Sequence, residues 1–89
     1  MIRRYRIRGR VQGVGYRYFV QENAIRLRVR GYVRNLPGGD VEVLAEAGEN
    51  VLAEFRIQLE RGPSFARVTE VLEEEAAAAE QYPSFHIRG

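Results

Sequence analysis

The sequence predicts an α+β fold in which two amphipathic helices cover one face of a mostly antiparallel β-sheet. Two observations lead to this prediction. The spacing of apolar residues changes along the chain between a period of two, typical of strands, and the three-to-four spacing of helices. Turns rich in glycine and proline separate these segments. The predicted order is βαββαβ plus a short C-terminal strand, which is the ferredoxin-like, split βαβ arrangement.

The first strand is predicted over Arg4–Val11 because its side chains alternate strictly in character. One side of this strand carries Tyr5, Ile7, Gly9 and Val11. The other side is a row of arginines: Arg4, Arg6, Arg8 and Arg10. We interpret this row as the solvated face of the sheet, with a ligand-binding stripe as the alternative.

The first helix is predicted over Tyr16–Leu27, where apolar residues recur at helical spacing. Its inward positions are Tyr16, Phe19, Val20, Ala24 and Leu27. No glycine follows this helix, and Arg28 stands where helices commonly end in a left-handed residue. We therefore expect backbone strain at Arg28 if it adopts that conformation.

A β-hairpin is predicted next, from Val29–Leu36 through the turn Pro37-Gly38-Gly39 to Asp40–Ala47. Its second strand places Val41, Val43, Ala45 and Ala47 on one face. A second helix is predicted over Glu49–Arg61, with Val51, Leu52, Phe55 and Leu59 inward. Gly62-Pro63 ends this helix.

The fourth strand is predicted over Phe65–Leu72, and its alternation slips at Thr69-Glu70, which indicates a β-bulge. The acidic, alanine-rich run Glu73–Glu80 is interpreted as a solvated connector or a short helical turn. The last strand is predicted over Ser84–Arg88, with Phe85 and Ile87 inward.

The 89 residues predict a single domain, 1–89, with one modest core. No apolar stretch is long enough to span a bilayer, and no apolar run follows Met1-Ile2-Arg3-Arg4 as in a secretory signal. The absence of cysteine excludes disulfides, thiol nucleophiles and thiolate metal sites. These features predict a cytoplasmic protein without membrane attachment.

Charge is distributed unevenly along the chain, and every basic residue is arginine. Residues 1–39 contain ten arginines and one acid, whereas residues 40–89 contain four arginines and eleven acids. Three explanations fit this pattern: a nucleic-acid surface, two halves that face each other, or a positive half that attracts a small anion.

Three glycines lie where the first strand meets the first helix, within Gly9–Arg17. The first N–H groups of a helix lack partners inside it, and glycines let the preceding backbone form a concave row of further N–H groups. The helix dipole favours an anion there, and Arg17 adds a guanidinium that matches phosphate oxygens. The stretch predicts an oxyanion cradle; the alternative is an ordinary turn beside a solvated arginine.

The sequence contains few side chains that stand out as a nucleophile, a general acid or base, or a metal ligand. His86 is the one histidine, expected on the exposed surface, and Ser64 and Ser84 stand beside prolines with no base near them in sequence. Phosphoryl transfer can proceed by positioning and electrostatic stabilisation alone when the leaving group is a weak base. Mixed carboxylic–phosphoric anhydrides meet that condition. Asn35, at the end of the second strand, is either a residue that orients water or a turn stabiliser.

Two stretches resemble signatures of the acylphosphatase family. The first is Gly9-Arg10-Val11-Gln12-Gly13-Val14-Gly15-Tyr16-Arg17 and the second is Gly31-Tyr32-Val33-Arg34-Asn35. The resemblance implies a ferredoxin-like fold and hydrolysis of acyl phosphates to a carboxylate and inorganic phosphate, without metal or cofactor. It further implies that Asn35 orients the attacking water. Arg17 would bind phosphate together with backbone N–H groups of Gln12, Gly13, Val14, Gly15 and Tyr16.

Two other functions fit the same fold. An arginine-rich sheet could bind RNA, although the predicted first strand offers no aromatic residues for base stacking on its arginine side. A sensing domain could bind carbamoyl phosphate without turning it over. We expect a free-standing, monomeric enzyme that acts on a small acyl phosphate and binds neither nucleic acid nor membrane.

Overall fold

A computed structural model describes residues 1–77 and 81–89 of the chain. It contains two helices and five strands in the predicted order. Their bounds are β1 Ile2–Arg10, α1 Tyr16–Leu27, β2 Arg30–Asn35, β3 Val41–Glu46, α2 Glu49–Arg61, β4 Arg67–Glu75 and β5 Phe85–Ile87. Both helices have the predicted bounds, and each strand is displaced by one to three residues at its ends.

The five strands form one sheet in the order β4-β1-β3-β2-β5. All neighbouring strands pair antiparallel except β2 and β5, which are parallel. The alternating residues Tyr5, Ile7 and Val11 are buried against both helices, as are Val41, Val43 and Ala45 of β3. The α+β, ferredoxin-like prediction with two helices on one face of the sheet is therefore confirmed. No helix within the described ranges has the length and apolar character needed to cross a membrane.

A bulge in β4 interrupts its pairing with β1. Arg8 pairs with Glu70 while the next residue, Gly9, pairs with Val68, so Thr69 is left without a partner in the register. This confirms the predicted bulge. A Cβ on Gly9 would overlap the carbonyl oxygen of Arg67, so this glycine, which lies within β1, permits the close approach of β1 and β4.

The acidic run that we interpreted as a connector is in part a strand, so that prediction was wrong for Glu73–Glu75. These three residues extend β4 and pair with Tyr5, Arg4 and Arg3 of β1. Ion pairs of Arg3 with Glu73 and of Arg4 with Glu74 offset the repulsion between the neighbouring glutamates. Ala76 and Ala77 follow the strand, and the last three residues of the predicted connector, 78–80, lie outside the described residues.

The two oppositely charged halves of the chain face each other across the sheet. Arg6 lies 2.7 Å from Asp40, and Arg34 lies 2.7 Å from Glu42. Further ion pairs between the halves are Arg3–Glu75, Arg4–Glu42, Arg8–Asp40, Arg8–Glu70 and Arg30–Glu46. The arginine row is solvent-accessible, as predicted, and Arg4, Arg6 and Arg8 each have an acidic neighbour. The charge asymmetry therefore has a structural explanation.

A second, smaller apolar cluster covers the face of the sheet opposite the helices. Tyr32, Leu44 and Tyr82 form it, with Ile2 and Ala76 at its edge. His86 stands in register with Tyr32 across the parallel β2–β5 pair, and its ring centroid lies 5.8 Å from that of Tyr82. His86 is half-buried among aromatic rings, so the prediction of an exposed surface histidine was wrong. The reason is that the parallel pairing of β5 with β2 places Tyr32 beside His86.

Arg28 ends α1 in the left-handed conformation, which is the condition under which we expected backbone strain there. Its backbone angles are φ 60° and ψ 37°, and it is the one non-glycine residue with positive φ among the described residues. Its N–H donates to the carbonyl oxygens of Ala24 and Ile25, so the conformation satisfies the last turn of the helix.

Candidate functional site

Residues 11–15 connect β1 to α1 in a tight loop of five residues. Gly13 and Gly15 have φ angles of 75° and 79°, which side-chain-bearing residues adopt only with strain. A Cβ on either glycine would meet no atom of residues 1–77 or 81–89 within 4 Å, so the backbone conformation, and not crowding, requires glycine at these positions. Alternation of left-handed residues with ordinary ones is the arrangement that turns successive N–H groups toward one point.

The N-terminus of α1 lacks a side-chain cap among the described residues. Gly15 is the N-cap residue, and the first turn contains no acid. The first helical hydrogen bond runs from the N–H of Phe19 to the carbonyl oxygen of Gly15, 3.1 Å away. The N–H groups that precede Phe19 in the helix therefore remain available to an anion in front of it.

Buried side chains on both sides hold this loop in place. Val11 and Tyr16 are each 1% exposed and belong to the main core, and Val14 packs against the same core. The hydroxyl of Tyr16 donates a 2.7 Å hydrogen bond to the carbonyl oxygen of Leu59 in α2. Burial raises the pKa of the Tyr16 phenol, so it stays a neutral donor. The loop is thus built on rigid elements.

Arg17 lies in the first turn of α1, directly behind the glycine loop, and its side chain is half-buried. No acidic side chain of residues 1–77 and 81–89 forms an ion pair with Arg17, and the same holds for Arg10 before the loop. The other arginines of β1 all have carboxylate partners. Within the described residues, positive charge without an acidic partner therefore flanks the loop on both sides in sequence, which favours a negatively charged ligand.

Asn35 is the last residue of β2 and pairs with Val41 of β3. Val33, two residues earlier, is buried in the core beneath the helices, so Asn35 lies on the helix side of the sheet as well. Its side-chain oxygen, Oδ1, is buried and has no hydrogen-bond partner in the described part of the chain. A buried amide oxygen without a partner is costly, and a bound water or a catalytic role is one explanation for such an atom.

Gln12 is the residue that joins these two parts of the site. Its side-chain nitrogen, Nε2, donates to the carbonyl oxygens of Leu36 and Asp40, at 2.9 and 2.8 Å. The glycine loop therefore contacts the turn that directly follows Asn35. The sequence pointed to the backbone N–H of Gln12 as a phosphate donor but not to its side chain. The two residues that the side chain contacts lie 24 and 28 positions away, so no local pattern in the sequence predicts this contact.

Other polar features do not include the residues of this loop. A recess of about 250 Å³ is lined by charged and apolar side chains that include Arg4, Glu42 and Leu72, and it reaches Leu36 of the turn but neither Arg17 nor Asn35. Where the structure describes the chain, no three histidine, aspartate or glutamate side chains gather into a metal-binding group.

Comparison with known proteins shows a consistent likeness. The family model described as Acylphosphatase matches residues 3–87. The acylphosphatase of Solibacter usitatus is 49% identical over 97% of this chain and 88% of its own length. That of Koribacter versatilis is 45% identical over 98% of this chain and 79% of its own length. The crystal structure of acylphosphatase from Bacillus subtilis superposes with a TM-score of 0.93 at 40% identity, with both chains fully covered.

Proposed function

The chain belongs to the acylphosphatase family, and on this premise we propose that its glycine loop, Arg17 and Asn35 together hydrolyse acyl phosphates. The reaction cleaves the bond between a carboxyl oxygen and phosphorus and yields a carboxylate and inorganic phosphate. The substrate is a small acyl phosphate.

Phosphate binding is assigned to the loop backbone and to Arg17. The N–H groups of the loop and of the first helical turn would donate to the phosphate oxygens, from Gln12, Gly13, Val14, Gly15, Tyr16 and Arg17. The guanidinium of Arg17 offers two parallel donors and a full positive charge to the same oxygens. The observation behind this assignment is that the helix N-terminus is uncapped and Arg17 has no acidic partner among the described residues.

Asn35 is assigned to the attacking water. Its Oδ1, which has no hydrogen-bond partner among the described residues, can accept a hydrogen bond from a water molecule and so direct a lone pair of that water toward phosphorus. Asn35 cannot remove the proton, because an amide oxygen is a very weak base. The proton of the water passes to a phosphate oxygen as the new P–O bond forms. Positioning of this kind lowers the barrier without a general base.

The leaving group explains why few reactive side chains are needed. A carboxylate is a weak base, so it leaves with the electron pair of the broken P–O bond and needs no proton from an acid. Charge that develops on the phosphate oxygens is stabilised by preorganised N–H groups and the guanidinium. We therefore propose that the reaction requires neither a metal ion nor an organic cofactor.

Hydrolysis of benzoyl phosphate in the absence of added metal tests this function directly. Release of benzoate and phosphate should follow saturation kinetics, and the rate should be the same with and without EDTA. Inorganic phosphate, as product, should inhibit competitively. Loss of activity with the chelator, or no hydrolysis of benzoyl, acetyl or carbamoyl phosphate, would contradict the proposal.

We further propose that residues 1–89 act as a single domain, as a cytoplasmic monomer that binds no nucleic acid. Three members of the arginine row, Arg4, Arg6 and Arg8, are held by carboxylates, which argues against their use as an RNA-binding stripe. Sedimentation of the purified chain tests whether it is a monomer, and a salt-dependent RNA-binding assay tests whether it binds nucleic acid.

A further inference from the structure

The side chain of Gln12 bridges two segments that are distant in sequence. Its Nε2 lies 2.9 Å from the carbonyl oxygen of Leu36 and 2.8 Å from that of Asp40. Both protons of one amide group are thus donated to the two ends of the same turn. Gln12 is half-buried, so these hydrogen bonds are partly shielded from water.

The turn that Gln12 contacts is closed by bonds of its own. The N–H of Leu36 donates to the carbonyl oxygen of Asp40 at 2.8 Å, and the N–H of Gly39 donates to that of Leu36 at 3.3 Å. The side chain of Asp40 accepts from Nε of Arg6 at 2.7 Å. The turn is therefore a compact unit, and Gln12 attaches this unit to the glycine loop.

Asn35 directly precedes this turn. Its Oδ1 has no protein partner among the described residues, so no hydrogen bond to that oxygen fixes the amide group relative to Arg17. The position of Asn35 then depends on two backbone contacts: the pairing of Asn35 itself with Val41 of β3, and the hydrogen bond from Gln12 to Leu36, the residue that follows Asn35. Displacement of a reacting group by about 1 Å can lower a rate by about 100-fold.

We propose that the carboxamide of Gln12 is a positioning residue that holds Asn35, and the water it directs, in line with the phosphate in the glycine loop. This inference rests on the proposed function. Gln12 would then have two roles. Its backbone N–H belongs to the phosphate loop, and its side chain aligns Asn35 on the other side of the site. Loss of the side chain should affect turnover more than phosphate binding.

The test compares Gln12→Met with the wild-type chain. Methionine has a similar length and no donor, so the loop backbone is kept while both bonds to the turn are lost. We expect kcat for benzoyl phosphate to fall by about tenfold to 100-fold. The inhibition constant of inorganic phosphate should change by less than about threefold. Gln12→Asn, which keeps the amide on a shorter stem, is the milder second variant and should show the same split between kcat and phosphate binding.

Gln21→Met is the matched control. Gln21 also donates its Nε2 to a backbone carbonyl, that of Phe85 at 3.5 Å, far from the turn in sequence. It should retain wild-type kcat, and thermal melts should show whether each variant is folded. If folded Gln12→Met and Gln12→Asn both keep wild-type kcat, or lose phosphate affinity as strongly as kcat, the positioning role is wrong.

A double-mutant cycle with Asn35 identifies the path of the effect. If Gln12 acts through Asn35, adding Gln12→Met to Asn35→Ala should lower kcat by less than about twofold further. A full additional loss would show that Gln12 acts independently and would overturn the inference. An inactive wild-type chain would instead contradict the proposed function, so the two failures are distinguishable.

Discussion

The hydroxyl of Tyr16 donates a 2.7 Å hydrogen bond to the carbonyl oxygen of Leu59, which joins the first residue of α1 to the last turns of α2. Both residues are buried in the main core. The N-terminus of α1 is thereby fixed at the end where the glycine loop meets the helix. One contact thus joins the two helices and anchors the end of the loop.

Replacing Tyr16 by phenylalanine removes this bond and keeps the ring. The carbonyl of Leu59 then loses its donor in a buried setting, so we expect the free energy of unfolding to fall by about 1–2 kcal/mol. Urea denaturation of both proteins at pH 7 measures the difference. An unchanged midpoint with an unchanged slope would show that the hydrogen bond contributes nothing to stability.

Arg17→Ala should lose phosphate binding. We expect kcat/KM for benzoyl phosphate to fall by at least about 10²–10³-fold, and inhibition by inorganic phosphate to disappear, because a donor and a charge are removed. Arg10→Ala is the matched control: it removes the same charge from the other side of the loop and should cost less than about tenfold. Equal losses in the two variants would mean that Arg17 contributes only a general positive field.

Asn35→Ala should separate activity from stability. Turnover should fall by about 10²–10³-fold with little change in KM, while stability should not fall, because the buried Oδ1 that is removed has no partner in the described chain. Asn23→Ala is the control, since Asn23 is buried but bonded, to the Phe19 carbonyl and to Arg26. It should be less stable and retain its turnover. A parallel loss of stability in Asn35→Ala would indicate a structural role.

Arg28→Gly should stabilise the protein. The φ of 60° at Arg28 is strained for any residue with a Cβ, and relief of that strain is worth about 1 kcal/mol. For a domain of this size the melting temperature should rise by about 4–8 °C. Glu22→Gly, at an exposed position inside α1, should instead lower stability by about 1 kcal/mol. A fall in melting temperature for Arg28→Gly would show that the arginine side chain makes a larger contribution than the strain.

Glu42 should make the protein sensitive to acid. Partial burial alone would raise its pKa, but hydrogen bonds from Tyr32 and Arg34, with the charges of Arg34 and Arg4, outweigh burial and lower it. The folded protein therefore holds this carboxyl ionised more strongly than the unfolded chain does. The resulting stability is present above the unfolded pKa of about 4.3 and is lost as pH falls through the lower folded pKa.

Glu42→Gln tests this dependence. The variant should be less stable than the wild type at pH 7, and the difference should narrow as the pH is lowered toward 3. Urea denaturation at pH 7, 5 and 3 gives the comparison. Glu54→Gln, on the exposed surface of α2, should follow the wild type at each pH. A difference between Glu42→Gln and wild type that stays constant with pH would contradict the assignment.

Local patterns were sufficient for most of the fold. The bounds of both helices, the inward residues of β1 and β3 and the bulge at Thr69 all follow from the spacing and type of neighbouring residues. Such features depend on backbone geometry within a few residues, so they can be inferred before any tertiary contact is known. The family signatures likewise occupy short continuous stretches.

Pairing between distant segments determines the features of the fold that local patterns did not predict. The run Glu73–Glu75 is a strand because the arginines of β1 lie opposite it, and His86 is half-buried because β5 pairs in parallel with β2. The strand order and the hydrogen bond from Gln12 to Leu36 likewise depend on contacts between distant segments. These contacts gain their free energy only when segments far apart in the chain meet, so the amino-acid order alone contains no local sign of them. Element types and candidate phosphate-binding residues can thus be predicted from short stretches of the chain, whereas their arrangement in space depends on contacts between distant segments.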